Sequence, residues 1–235
     1  HPSGPLLRAI CSLGVSPFLN QMDMFLVQIT LNNTLTYYGA LSHYGEDIPL
    51  ACVGVISKVN ILMLGFTLGI SQGCQPIFSY NYGTRQYSRV REAYRKAIVA
   101  ASVICCSAFV CFQLFPRPIV ALFDPSGSEE YFQFAERYFR IYMFMTLANA
   151  FQPITANFFT SIGKAKRGAL IALTRQVIFL IPLILIFPLF LGIDGVMYAG
   201  PIADSAAVVV ALALVTWEMK RMPHVDEPVA ADTPV

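Results

Sequence analysis

"GISQGCQPIFSYNYG", residues 69–83, is the stretch on which the fold turns. Its first five letters fit the Gly-x-Ser-x-Gly elbow of a serine hydrolase, with Ser71 in the nucleophile's place. That elbow needs a strand leading into a helix, whereas residues 48–80 form one apolar run. The order Ser71, Asp204, His224 matches a hydrolase triad, yet His1, His43 and His224 all lie outside the apolar runs. The stretch therefore reads as an apolar helix that bends at Gly69, Gly73 and Pro76 and stops at "SYNYG", with Gly83 supplying a left-handed terminal residue. No catalytic residue is assigned and the chain is read as a non-enzyme. With no histidine in the runs, a haem or a helical metal site is also excluded.

Outward from this stretch, the composition is that of a membrane protein. Of 235 residues 56% are hydrophobic and only 13% charged, with a mean hydropathy of +0.58, against about 25% charged in soluble domains. A crossing helix takes about 20 mainly apolar residues. Six stretches qualify: residues 14–38, 48–80, 91–115, 130–162, 168–191 and 195–217. The expected fold is all-α, a polytopic bundle of six transmembrane helices over residues 1–222, with a disordered cytoplasmic tail at 223–235. The opening "HPSGPLLRAICSLG" has neither a starting Met nor a signal-peptide pattern, as a fragment would.

Charge sets the orientation. With the segment before the first span inside, 11 of the 16 Lys and Arg residues fall on the inner side, among them Arg85, Arg89, Arg91, Arg95, Lys96, Lys164, Lys166, Arg167, Lys220 and Arg221. Arg117, Arg137 and Arg140 fall outside. Both termini are expected in the cytoplasm. The net charge of +2 comes from the inner loops, so it speaks for membrane lipid as partner and against nucleic acid. The six cysteines lie in or beside spans and read as small apolar fillers, neither disulfides nor metal ligands.

The spans are interrupted. The second, 33 residues long, would measure roughly 50 Å against a hydrocarbon core of about 30 Å. Pro153 bends the fourth, Pro182 and Pro188 the fifth, and Pro201 the sixth. Freed backbone groups at that depth are tolerated only against protein or a wet cavity. The bends thus read as a cavity or a joint, or as static packing of bent helices.

Polar residues inside the spans give the candidates. On the first span Gln21, Gln28 and Asn32 share one face, and Asn20, Asp23, Thr30 and Thr34 nearly the opposite one. Asp23 is the leading candidate, because an intramembrane carboxylate is costly; its plain alternative is an acid hydrated near the cytoplasmic end. Lys58 reads as a functional cation or as an amine reaching the interface. Arg175 and Asp204 approach midmembrane from opposite sides and read first as a structural ion pair. Thr146, Asn149, Asn157 and Thr160 share a face beside Pro153, lining a path or bonding between helices.

"GFTLGISQGCQPIFSYNYGTRQYSRV" (65–90), "VQITLNNTL" (27–35), "FFTSIGKAKRGALIALTRQVIFLIPL" (158–183) and "GVMYAGPIADSAA" (195–207) together resemble the C-terminal half of multidrug and toxic compound extrusion (MATE) transporters. The resemblance covers nearly the whole chain apart from the tail. It implies one six-helix lobe of a two-lobe transporter in the bacterial inner membrane, whose missing N-terminal lobe is its partner and whose cleft opens alternately to either side. Cationic or amphiphilic drugs would leave in exchange for H⁺ or Na⁺, with no cofactor. One branch of the family carries a carboxylate near the position of Asp23, implying a cation-coupling role. The same branch has an acid on the fourth helix, where this sequence has Asn149 and Gln152, leaving room for coupling acids in the absent lobe. Gln75, Asn149, Gln152, Asn157 and Lys58 are the expected cleft-lining groups, and the Arg175 and Asp204 pair a support. A flippase for lipid-linked sugars and a non-transporting assembly module are the rivals.

Overall fold

A computed structural model describes residues 4–45, 47–123, 125 and 127–223, leaving aside the side chains of residues 5–21 and of Asn149. The described chain is helical: α1 Gly4–Ala40, α2 Asp47–Gly83, α3 Tyr87–Leu114, α4 Pro116–Phe123, α5 Glu129–Tyr142, α6 Ala148–Ser161, α7 Ala165–Leu173, α8 Ile181–Leu191 and α9 Ile193–Arg221. A 3₁₀ turn, Met143–Met145, joins α5 towards α6, and a π-helix, Thr174–Leu180, joins α7 to α8. α2, α3, the run Ala165–Leu191 and α9 are each long and apolar enough to cross a membrane. The chain folds as an all-α membrane bundle.

Local sequence explains the boundaries. α5 opens on Ser128, whose side chain accepts from the Tyr131 N–H, with Glu129 and Glu130 in its first turn and Arg140 in its last. Its buried side chains, Tyr131, Phe132, Phe134, Ala135, Tyr138 and Phe139, follow the spacing of one helix face. α2 ends differently from the sequence reading. The left-handed residue is Arg85, at φ 58°, and Gly83 remains helical. Gln86 N–H bonds Asn81 C=O at 2.9 Å and Arg85 N–H bonds Tyr82 C=O at 3.2 Å, a Schellman closure two residues beyond the glycine. α6 closes the same way around Gly163, at φ 78°, with Lys164 N–H on Phe159 C=O at 2.8 Å.

Two expected spans carry irregularities. Residues 130–162 are not one helix: the α-helix ends at Tyr142 and resumes at Ala148, several residues before Pro153. Pro153 has no N–H for the carbonyl one turn earlier, and the break lies on that N-terminal side. In the fifth span the π-helix stops at Leu180, two residues before Pro182, so the widened turn meets the site of the missing donor. α2 runs through Pro76 as a single helix.

Named contacts fix the direction of packing. Ser71 with Pro153 and Ser79 with Ser161 set α2 parallel to α6. Thr67 with Cys105 and Tyr82 with Tyr87 set α2 antiparallel to α3. Arg137 with Asp194 sets the second half of α5 beside the start of α9. Lipid is as apolar as leucine, so helices in a membrane associate by close packing. α9 provides it, burying Gly195, Ala199, Ala203, Ala207 and Ala211 at every fourth position. A Cβ on Gly195 would come 2.5 Å from the Phe187 carbonyl carbon.

Both ends of the bundle carry charges. At the α4–α5 end Arg117 grips Glu129 through two hydrogen bonds, at 3.1 and 2.6 Å, which hold the Glu129 carboxyl below its ordinary value. At the opposite end Glu218, buried, is held by Lys164 and Arg167, and Trp217 lies between Arg167 and Arg221 at 4.4 and 4.5 Å.

Candidate functional site

Five helical segments enclose a cavity of about 270 Å³. Asp23 and Met24 come from α1, Leu64 and Leu68 from α2, and Ala172, Arg175 and Gln176 from α7 and the π-helix. α6 contributes Gln152, Pro153, Ala156 and Asn157. Of the expected cleft residues, the fold therefore brings together Asp23, Gln152 and Asn157. Lys58 is exposed on α2 and Gln75 half-buried on the same helix; neither lines this cavity. The Asn149 side chain, with those of Asn20 and Gln21, lies outside the described residues.

Two of the cavity's amides are tied to neighbouring helices through their NH₂ groups. Asn157 Nδ2 donates to Ser71 Oγ at 2.6 Å, and Ser71 Oγ donates to the Pro153 carbonyl at 3.2 Å. Gln152 Nε2 donates to the Ile171 carbonyl at 3.4 Å. One N–H of each NH₂ group is so used, and the amide oxygens of Gln152 and Asn157 remain as acceptors. Gln176 Oε1 is buried with no hydrogen-bond partner among the described residues. Asp23 is half-buried and forms no ion pair among them. The lining is thus rich in oxygen acceptors.

Its cation is already satisfied. Arg175 Nε donates to Asp204 Oδ1 at 2.5 Å, with both side chains nearly buried. Beside α9, Phe134, Tyr138 and Tyr142 stack in sequence along one face of α5. The ladder ends on Gly200, where a Cβ would stand 2.7 Å from the Tyr142 ring. Asp204 lies one turn further along α9.

The remaining expectations are located as follows. Ser71 is fully buried and bonded as above, Asp204 is engaged with Arg175, and the His43 ring lies tilted against Tyr44 at a turn; His224 lies outside the described residues, and no triad assembles among the described ones. Thr146 sits in the break before α6 and bonds Met143 C=O, so it does not continue the Asn157 face. Thr160 bonds Ala156 C=O of its own helix. On α1 Gln28 donates to Asn32 at 3.0 Å, while Thr30 and Thr34 bond backbone carbonyls one turn back. Gly69, Gly73 and Pro76 are exposed along α2. None of the five described cysteines forms a disulfide among the described residues. Gln176 and Glu218 escaped the sequence reading. Gln176, next to Arg175 in a proline-interrupted span, offered a faint signal; Glu218, at a helix end, offered none.

Residues 24–186 match the MatE family. The multidrug export protein MepA of Staphylococcus aureus (strain bovine RF122 / ET3-1) is 23% identical over 216 residues, 91% of this chain and 45% of its own length. A solved inward-facing conformation of a multidrug resistance MATE family transporter of the MOP superfamily aligns at a TM-score of 0.85 and 20% identity, over 94% of this chain and 50% of that one. An outward-facing conformation of a transporter so described aligns at 0.81 and 20% identity, over 94% and 48%. The chain spans about half the length of the relatives it matches.

Proposed function

This chain belongs to the MatE family, and on that premise we propose that it forms one lobe of a multidrug efflux antiporter in a bacterial plasma membrane. The observation that carries the reading is the cavity where the Asp23 carboxylate, without an ion pair among the described residues, stands with the Gln152, Asn157 and Gln176 amides. Such a lining suits a cation or a donor-bearing drug. H⁺ or Na⁺ arriving at Asp23 would neutralise its charge, and an organic cation would compete for it. A ligand shifts the balance of cleft openings only by binding one of them more tightly, and competition at one carboxylate provides that difference.

The flippase reading fits less well. An anionic lipid-linked sugar would need free cations, and the cavity's Arg175 is held by Asp204 while Lys58 lies off the cavity. The other lobe and a cytoplasmic position for both termini belong to the same proposal. Ethidium efflux from cells making the intact protein tests it: efflux that stops when the H⁺ and Na⁺ gradients are collapsed supports antiport. Efflux equal to that of cells without the protein removes the transport reading.

A further inference from the structure

A second and larger cavity, about 460 Å³, opens between α2 and α3. Its walls are graded. Ile70, Cys74 and Ile77 on α2 face Ala93, Ala97 and Ala100 on α3, and the alanines leave the space between them unfilled. Towards the turn that joins the two helices, Asn81, Arg89 and Glu92 replace the apolar groups, and Lys96, rooted beside Ala97, reaches back along the groove's edge to Glu92. Because α2 and α3 are antiparallel, apolar depth and polar mouth coincide on both walls.

Length and charge both match a lipid. From Ile70 to Asn81 the groove follows α2 for about 16 Å, close to the hydrocarbon depth of one leaflet, about 15 Å. At the mouth Lys96 Nζ bonds Glu92 Oε1 at 2.6 Å, and Arg89 leaves the group with an excess positive charge. Arg95 lines two smaller grooves around α3, one with Glu92, Lys96, Val99 and Ala100 beside the main groove and one with Leu212 and Val215. Arg89, Glu92, Arg95 and Lys96 are all exposed. A protein segment laid in the groove would bury these charges against itself, whereas a lipid headgroup leaves them at the aqueous boundary, where basic side chains settle.

We propose that the α2–α3 groove is a binding site for an anionic phospholipid, one acyl chain lying between Ile77 and Ala97 and the phosphate headgroup resting on Arg89 and Lys96. A zwitterionic lipid brings its own cation to a mouth that is already positive. The site does not depend on the transport reading.

The test uses the intact protein, purified in detergent and offered equimolar phosphatidylglycerol and phosphatidylcholine before native mass spectrometry. Phosphatidylglycerol is expected to be retained about fivefold over phosphatidylcholine, the worth of one net charge at a lipid surface. Arg89→Ala with Lys96→Ala abolishes the preference, Arg89→Lys keeps it, and Ala97→Leu, filling the groove floor, lowers retention of both lipids. Independently of any variant, phosphatidylglycerol with a photoactivatable acyl chain crosslinks to residues 70–77 and 93–100. Equal retention of the two lipids, a preference that survives the double substitution, or no crosslink in those stretches overturns the proposal. The last result would mean that protein covers the groove.

Discussion

Arg175 Nε stands 2.5 Å from Asp204 Oδ1, joining the π-helix to α9 beside the acceptor-rich cavity. Each side chain is the other's counter-charge, so losing one strands the other. Removing one partner of a buried pair costs about 3–5 kcal/mol, whereas apolar replacement of both is often close to neutral. Arg175→Met and Asp204→Leu singly should each lower the melting temperature in detergent sharply, and the double variant should recover most of the loss.

Ser71 is a structural hydroxyl linking α2 to α6. Ser71→Ala removes the bonds to Pro153 and Asn157, a loss of about 0.5–1.5 kcal/mol per bond. A modest fall in melting temperature is expected, with transport retained and no labelling of the wild type by a serine-directed fluorophosphonate. Stoichiometric labelling at Ser71 would restore the hydrolase reading.

Glu218 ties the α6–α7 connection to the end of α9 through Lys164 and Arg167. Hydrogen bonds to charged groups contribute about 1.5–3 kcal/mol, and the part-exposed basic partners place this site towards the lower figure. Glu218→Gln should therefore speed trypsin cleavage at Lys164, Lys166 and Arg167 several-fold. A rate equal to wild type would show the clamp to be idle.

Gly195 is a position where size alone decides. With 2.5 Å between its virtual Cβ and the Phe187 carbonyl carbon, even Gly195→Ala forces α8 and α9 apart. Overpacking of this kind costs about 1–3 kcal/mol, and a lower melting temperature is the expected result. Leu212, exposed further along α9, provides the control: Leu212→Ala should leave the melting temperature near that of the wild type.

Much of this fold was legible because the deciding signals are local. Long apolar runs can be read from spacing, and Arg175 and Asp204, read from spacing as a pair, meet. Asp23, Gln152 and Asn157 were legible as polar groups in apolar runs, although their meeting in one cavity depends on α1 and α6 both packing against α2 and α7. Lys58 and Gln75 looked equivalent by the same criterion. Nothing local tells which way α2 turns them. Gly83 attracted the left-handed assignment by its residue type, yet the helix ran on until Arg85 could complete the Schellman bonds. The break at Met143–Met145 contains neither proline nor glycine, and the carbonyl that Pro153 leaves without a donor, that of Asn149, lies beyond it in α6, so no local signal marked its position. Gln176 shares the i, i+3, i+4 face of Ala172 and Arg175, so its side of the helix was legible, whereas its unpartnered oxygen depends on the packing around it.

The account rests on Asp23 as the carboxylate at which ion and drug compete. The most direct measurement is drug-driven ion movement in proteoliposomes containing the intact protein, wild type against Asp23→Asn. An imposed ethidium gradient should drive H⁺ or Na⁺ in the opposite direction with wild type, and Asp23→Asn should abolish that coupled flux while the protein remains folded. Full coupled flux in Asp23→Asn would contradict the account and place coupling on other acids.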